Sequence, residues 1–150
     1  MKFQVQTMPE YRIAYMRRVG PYGPGNAELM DQLKIWAEEH QLLTDTSIIL
    51  GITRDDPAVT AAELCRYDCG LVIPEKLQVD VHVNLDVLSG GKYLICKVPH
   101  TAQDIQQAWN EIMAEAIRCG HYVDSRPVFE RYTGAMLRQH ECELCVPIFR

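Results

Sequence analysis

Residues Pro127–Gly134 read P-V-F-E-R-Y-T-G, a run of β-forming residues with one acid at its centre. In a strand, side chains alternate between two faces, so Glu130 and Tyr132 share one face while Phe129 and Arg131 share the other. Neither face is plainly the one that meets water, which leaves two alternatives. Either Glu130 is solvated, as most glutamates are, or it is buried where a cationic or hydrogen-bonding ligand can satisfy it.

The length and charge of the chain narrow the class of protein. Its 150 residues favour a single domain, and its 47% hydrophobic and 23% charged content are ordinary for a globular protein. A formal net charge of -5 argues against direct nucleic-acid binding, because nucleic-acid binders usually carry a basic excess. The N-terminus lacks an apolar signal core and no apolar run reaches membrane-spanning length. We therefore expect a cytoplasmic protein with no membrane association.

The cysteines form one pattern with possible chemistry, Cys142-Glu-Leu-Cys145. A C-x-x-C pair can bind zinc or carry redox chemistry. In a strand, however, an offset of three points the two thiols to opposite faces, and no second pair completes four ligands. We therefore expect buried cysteines, no metal site and no cofactor.

Six further segments have the composition of strands, and a seventh is ambiguous. The ambiguous segment is Glu75–Ser89, where Val79, Val81, Val83, Leu85 and Val87 alternate with Asp80, His82, Asn84 and Asp86. That alternation predicts a half-exposed extended segment rather than a disordered linker. Loops are predicted at Arg54–Thr60 and Tyr122–Arg126. The other predicted strands are Phe3–Met8, Arg12–Val19, Ser47–Thr53, Leu64–Pro74, Lys92–Val98 and Glu141–Phe149.

Two helices are predicted from capping residues and from apolar residues at helical spacing. The first is predicted from a cap at Asn26 to about His40. The second begins at a capping box formed by Thr101 and Asp104 and stops at Gly120. The stripes are Leu29, Met30, Leu33, Trp36 and Ala37 in the first helix, and Ile105, Ala108, Trp109, Ile112, Ala116 and Ile117 in the second.

These elements occur twice in the same order. Strand, turn, tryptophan-bearing helix, strand, loop and a strand ending in proline span Arg12–Pro74 and again Lys92–Pro147. We therefore predict an α+β fold of two fused halves, about residues 1–74 and 75–150, related by a pseudo-two-fold axis. Two antiparallel sheets and two helices would then leave a cleft at the seam between the halves, where ligand sites tend to occur.

Six short motifs follow one another along the chain: V-G-P-Y (Val19–Tyr22), G-x-x-x-D-D-P (Gly51–Pro57), C-R-Y-D (Cys65–Asp68), G-G-K-Y (Gly90–Tyr93), A-W (Ala108-Trp109) and P-x-F-E-x-Y (Pro127–Tyr132). In this order they resemble the GyrI-like small-molecule-binding domains, and the resemblance covers essentially the whole chain. Such domains occur as stand-alone proteins similar to the bacterial DNA gyrase inhibitor, and as effector-binding domains of AraC- and MerR-type multidrug-responsive regulators.

The resemblance implies a duplicated β-β-α-β-β fold with a ligand cleft at the seam. It also implies that Glu130 lies at the pocket floor and contacts bound compounds, which in relatives are often cationic and aromatic. Tyr132 shares the strand face of Glu130, Trp109 and Trp36 lie on the helices that flank the seam, and Tyr22 belongs to a turn at its rim. For each tryptophan, a place in the core is an equally good interpretation.

Two features near these motifs are expected to lie outside the site. Arg66 and Asp68 of C-R-Y-D share one strand face, and we interpret this segment as structural. Of the five histidines, only His100 and His121, which flank the second helix, could reach the cleft, and as isolated loop residues we expect them to be solvated. The turn Val98–Thr101 has no glycine, unlike the corresponding turn in many relatives, which leaves the size of the ligand open.

Three functions remain. The preferred one is non-catalytic binding of a lipophilic, cationic or aromatic small molecule, for sensing or sequestration. The alternatives are a protein inhibitor of DNA gyrase, and a hydrolase of cyclopropane-bearing alkylating compounds in which Glu130 activates water. No Ser-His-Asp set, Cys-His pair or phosphate loop supports catalysis, so we favour a protein that is not an enzyme. No helix-turn-helix pattern precedes the first strand, so we expect a transcriptional role to need a separate DNA-binding module.

Overall fold

The fold is built from strands and helices that alternate along the chain. The computed structural model describes residues 2–79 and 82–149, and in them we find nine strands, three α-helices and one short 3-10 helix. The strands are β1 Phe3–Met8, β2 Tyr11–Val19, β3 Ile48–Thr53, β4 Arg66–Val72, β5 Asn84–Leu88, β6 Gly91–Pro99, β7 Tyr122–Val123, β8 Val128–Thr133 and β9 Glu141–Phe149. The helices are α1 Pro24–Glu39, α2 Ala102–Arg118, α3 Gly134–Arg138 and the 3-10 helix Ala62–Leu64.

The strands of the described residues form one sheet. Its order is β1-β6-β9-β8-β3-β4-β2-β5, with β7 pairing with β9 outside this path, and neighbouring strands are antiparallel. The prediction of two sheets is therefore wrong, because β3 of the first half pairs directly with β8 of the second. Each half also lends its first strand to the other: β1 pairs with β6 and β5 pairs with β2.

The sheet is strongly curled into a half-barrel. Arg131 lies on the central strand β8, yet its Nη1 approaches the sulfur of Met8 at 3.6 Å and donates to the hydroxyl of Tyr11 at 3.1 Å. Met8 ends β1 at one edge of the sheet, and Tyr11 begins β2 close to the other edge. Both ends of the sheet therefore bend toward the face that carries Arg131, which we call the concave face.

Two short connections pack against each other where the half-barrel closes. Pro9 and Glu10 join β1 to β2, while Ser89 and Gly90 join β5 to β6. A Cβ on Gly90 would lie 2.7 Å from the carbonyl oxygen of Met8 and 2.9 Å from the backbone nitrogen of Glu10. Only glycine allows the two backbones to approach this closely.

The two faces of the sheet carry separate cores. On the outer face, α1 packs on β2 and β4 while α2 packs on β6 and β9, and the helices bury the predicted apolar stripe of α1 and the small residues of α2. On the concave face, aliphatic and aromatic side chains pack against one another. Cys142 belongs to the outer core and Cys145 to the concave core, so the two thiols do point to opposite faces. Both are free thiols.

The concave face also buries charge. Asp68 is 0% exposed and accepts hydrogen bonds from Arg17 at 2.6 and 2.8 Å and from Arg54 at 2.7 Å. Arg66, which was expected to share a face and a structural role with Asp68, pairs instead with Asp55. Asp68 is structural as predicted, but its partners are arginines 14 and 51 residues away in the chain.

The element boundaries test several sequence predictions. Strands β1 and β9 have the predicted bounds, and the cap of α2 is confirmed, since Thr101 accepts from the backbone nitrogen of Asp104 at 3.1 Å. The predicted cap at Asn26 is wrong: α1 begins at Pro24 after Gly23, and the Asn26 side chain accepts from Arg18 at 2.9 Å. Proline at the first helical position needs no capping partner, because it has no N–H.

Other predictions fail where a surface element is short. Ile117 is 79% exposed, so the apolar stripe of α2 ends before it. The predicted loop Tyr122–Arg126 contains β7, and α3 was not predicted. Within Glu75–Ser89 only Asn84–Leu88 is a strand, while Asp80 and Val81 lie outside the described residues. No helix in the described part of the chain is long and apolar enough to cross a membrane.

Candidate functional site

Glu130 lies in the middle of the sheet, where β8 pairs with β3, and we call this position the seam. It sits on β8 directly opposite Gly51 on β3 and Leu144 on β9. The predicted alternation is confirmed, since Tyr132 packs in the outer core and Phe129 in the concave core. Glu130 therefore faces the helix-covered side of the sheet, where it is half-buried.

Two neutral donors hold the Glu130 carboxylate. The hydroxyl of Tyr132 donates to its Oε2, and the indole N–H of Trp109 on α2 acts on the same carboxylate. Burial raises the pKa of Glu130 above its ordinary value, and it outweighs the two hydrogen bonds, which lower that pKa. The strongest influences on Glu130 are thus desolvation and neutral donors rather than a cationic side chain.

A notch in the sheet lies beside Glu130. Gly51 has no side chain, and the Tyr67 ring of β4 reaches over it, so that a Cβ on Gly51 would lie 2.3 Å from the Tyr67 oxygen. The charge of Glu130 raises the pKa of Tyr67, after the larger effect of burial. The sequence predicted a structural role for the segment that contains Tyr67. The glycine in G-x-x-x-D-D-P was a signal for the notch, because glycine in a strand often marks a close approach.

Tyr22 is tied to the backbone near this notch. Its hydroxyl lies 2.8 Å from the carbonyl oxygen of Arg66 and 3.1 Å from that of Asp55, and accepts from the Asp55 nitrogen at 3.2 Å. The Tyr22 ring meets Tyr67 edge-on, with centroids 6.4 Å apart. The structure therefore places Tyr22 behind Tyr67, with its polar end used by the backbone.

Trp36 lies in the core beneath α1. It is buried, and its indole stacks on the His40 ring with centroids 4.7 Å apart. Of the five predicted site residues, the structure thus brings together Glu130, Tyr132 and Trp109. Trp36 packs instead with the buried stripe of α1.

His100 reaches the site from the turn between β6 and α2. Its ring lies 4.9 Å from the ring of Tyr132, while the residue as a whole is exposed, as the sequence predicted. Burial lowers the pKa of His100, and the positive charges of Lys34 and His140 lower it further. The signal in the sequence was the turn itself, where His100 stands in place of the glycine found after β2.

Two surface depressions lie away from this cluster. One, of about 390 Å³, is lined by residues of β1 and β6 such as Phe3 and Lys97. The other, of about 370 Å³, is lined by residues such as Arg12 and Glu75. Neither is lined by Glu130, and the seam is chosen as the candidate site on the chemistry of its side chains alone.

Solved structures share this fold. The C-terminal domain of EcmrR superposes with a TM-score of 0.79 at 11% identity, covering 99% of this chain and 98% of that one. SAV2435, solved bound to tetraphenylphosphonium, superposes with a TM-score of 0.59 at 14% identity, covering 99% of this chain and 94% of that one. The chain is thus a curled α+β domain of the class that includes the C-terminal domain of EcmrR.

The sequence comparisons place the chain in a family. Residues 1–148 match the model of the GyrI-like small molecule binding domain. The chain is 40% identical over 149 residues to YosT, a candidate transcriptional regulator from the SPbeta prophage of Bacillus subtilis (strain 168), covering 99% of each chain. It is 28% identical over 114 residues to the DNA gyrase inhibitor of Pectobacterium carotovorum subsp. carotovorum (strain PC1), covering 74% of this chain and 73% of that one. The chain belongs to the GyrI-like small-molecule-binding domain family.

Proposed function

We propose that this domain binds a lipophilic, cationic or aromatic small molecule at the seam, without catalysis, for sensing or sequestration. Glu130 is the polar anchor. The proposal rests on the position of the Glu130 carboxylate, which is half-buried on the helix side of the sheet. The side chains that act on it most strongly, Tyr132 and Trp109, are both neutral hydrogen-bond donors. A ligand cation would supply the missing opposite charge.

The surroundings of Glu130 suit such a ligand. Aromatic rings attract a desolvated cation by up to about 2 kcal/mol, and Trp109, Tyr132 and Tyr67 lie around the carboxylate. SAV2435, whose fold this chain shares, was solved with the lipophilic cation tetraphenylphosphonium. The pocket is proposed to open between α1 and α2.

The proposed pocket lies near the centre of the duplicated order of elements. The strand order reads alike from both edges of the sheet when β1 is matched with β5, β6 with β2, β9 with β4 and β8 with β3. A pseudo-two-fold axis would then pass between β3 and β8, close to the Gly51–Glu130 pair. The two halves differ at this axis, because only the second one supplies an acid.

Binding of tetraphenylphosphonium tests the proposal. We expect saturable binding to the wild type by titration calorimetry, and a loss of about tenfold or more in Glu130→Gln, since two opposite charges about 5–8 Å apart attract by about 2–3 kcal/mol at an effective dielectric constant near 20. Glu28→Gln removes the same charge from an exposed position on α1 and serves as the matched control. Equal affinity in wild type and Glu130→Gln would reject Glu130 as the anchor.

Inhibition of DNA gyrase is the second candidate function. It is favoured by the name of the Pectobacterium relative, which is similar to this chain over 114 residues. Such a role would use the surface of the domain rather than the seam. A supercoiling assay with purified gyrase checks it, and unimpaired supercoiling at a stoichiometric excess of the protein excludes it.

A further inference from the structure

Tyr67 carries a buried ring with an unused hydroxyl. The residue is 5% exposed, and no hydrogen bond joins its hydroxyl to any residue within 2–79 or 82–149. In the same residues no fully buried side-chain oxygen or nitrogen lacks a partner. The Tyr67 oxygen is therefore not sealed in the core, and it retains a small opening toward solvent.

The direction of this hydroxyl is set by Gly51. A Cβ added to Gly51 would lie only 2.3 Å from the Tyr67 oxygen, and Gly51 is directly opposite Glu130. Side chains directly opposite each other on antiparallel strands have Cβ atoms about 5 Å apart. The Tyr67 hydroxyl thus reaches the position on β3 that is directly opposite Glu130, on the same face of the sheet.

The Tyr67 ring is supported from behind. Tyr22 meets it edge-on, and three backbone contacts of the Tyr22 hydroxyl fix that ring. A donor that is immobilised before ligand binding loses little conformational freedom on binding. This arrangement makes Tyr22 a positioning residue for Tyr67.

We propose that the Tyr67 hydroxyl is a second polar anchor of the seam, and that the site selects lipophilic ligands carrying a hydrogen-bond acceptor beside the group that meets Glu130. The inference rests on the proposed function of the seam and specifies its ligand class. Glu130 binds the cationic or donor end of the ligand. Tyr67 donates to an ether, carbonyl or hydroxyl oxygen on the same molecule.

A pair of matched probes tests this selectivity. Tetraphenylphosphonium has no acceptor, and (4-methoxyphenyl)triphenylphosphonium differs from it by one ether group. We expect the wild type to bind the ether probe about fivefold more tightly, the gain typical of one neutral hydrogen bond. In Tyr67→Phe we expect the ether probe to lose this advantage, so that the two probes bind equally.

Gly51→Ala probes the same contact from the opposite strand. The new methyl group displaces the Tyr67 oxygen from the notch, so the preference for the ether probe is lost and the melting temperature falls. In the double variant Gly51→Ala/Tyr67→Phe the nearest ring atom lies 3.3 Å from the new Cβ. We therefore expect Tyr67→Phe to restore most of the lost melting temperature, which a general packing defect would not allow.

The outcomes separate this inference from the proposed function. Glu130→Gln should weaken both probes by the same factor and keep the ether preference. If Glu130→Gln changes neither affinity, the proposed anchor fails, while an ether preference that depends on Tyr67 still supports the inference. An absent preference in the wild type, or equal losses of both probes in Tyr67→Phe, overturns the inference. If neither probe binds the wild type, both proposals are overturned.

Discussion

The hydroxyl of Tyr132 donates a hydrogen bond to the carboxylate of Glu130, two residues earlier on the same face of β8. The phenol ring is almost fully buried, and His100 packs against it. Tyr132 therefore orients the carboxylate without neutralising it. The hydrogen bond satisfies one carboxylate oxygen of Glu130 and leaves its negative charge to pair with a ligand cation.

Tyr132→Phe removes this donor. At pH 8 we expect a loss of about 1–2 kcal/mol in the free energy of unfolding, because an ionised, half-buried carboxylate loses a hydrogen bond. At pH 4 the loss is smaller, since the protonated acid depends less on a donor. Urea unfolding at both pH values measures the difference. Tyr93→Phe, which removes a hydroxyl 3.1 Å from the Ser89 carbonyl oxygen, is the control and should show no such pH dependence.

Glu130→Gln changes the pH dependence of stability. Because burial raises the folded-state pKa of Glu130, its protonated form favours the folded state. That contribution is complete below the unfolded pKa of about 4.3 and disappears as pH rises through the folded pKa. The wild type should therefore lose stability relative to Glu130→Gln between pH 4 and pH 8. Thermal unfolding of both proteins across this pH range measures the change. A difference in stability that stays constant with pH would contradict the raised pKa of Glu130.

Asp68→Ala breaks the buried ion pairs of the concave face. Arg17 and Arg54 both lose their shared partner, and breaking a buried pair from one side costs about 3–5 kcal/mol. Guanidinium unfolding measures the loss. Asp45→Ala breaks an exposed pair with Arg138 and should cost less than about 1 kcal/mol. Similar values for the two variants would show that the buried network adds little.

Gly90→Ala tests the contact between the two crossing connections. The added methyl group meets the backbone of Met8 and Glu10, which cannot move without opening the sheet, so we expect a loss of about 1–3 kcal/mol. In Gly25→Ala the methyl group meets only the flexible end of the Arg18 side chain. That side chain can move at the cost of its contacts with Pro21 and Asn26, so the control should lose less stability than Gly90→Ala. Chemical unfolding of both variants decides between these expectations.

The candidate site was predicted in part. Alternation along one strand placed Glu130 and Tyr132 on the same face, and the helical stripe brought Trp109 over that face. Tyr67 was missed, and the contact of the exposed His100 with the ring of Tyr132 was not predicted. Each reaches the site from an element distant in sequence, and neither lies in a pattern that distinguishes a site residue from a structural or solvated one.

The sequence by itself determined the local elements: the strand that carries Glu130, the capped start of α2 at Thr101, and the opposite orientations of Cys142 and Cys145. These depend on periodicity and capping, which act within a few residues. Tertiary structure alone decided that the halves share one sheet and that Tyr67 fills the notch at Gly51. Such contacts join distant segments, and they form only when the whole sheet curls and buries its two faces.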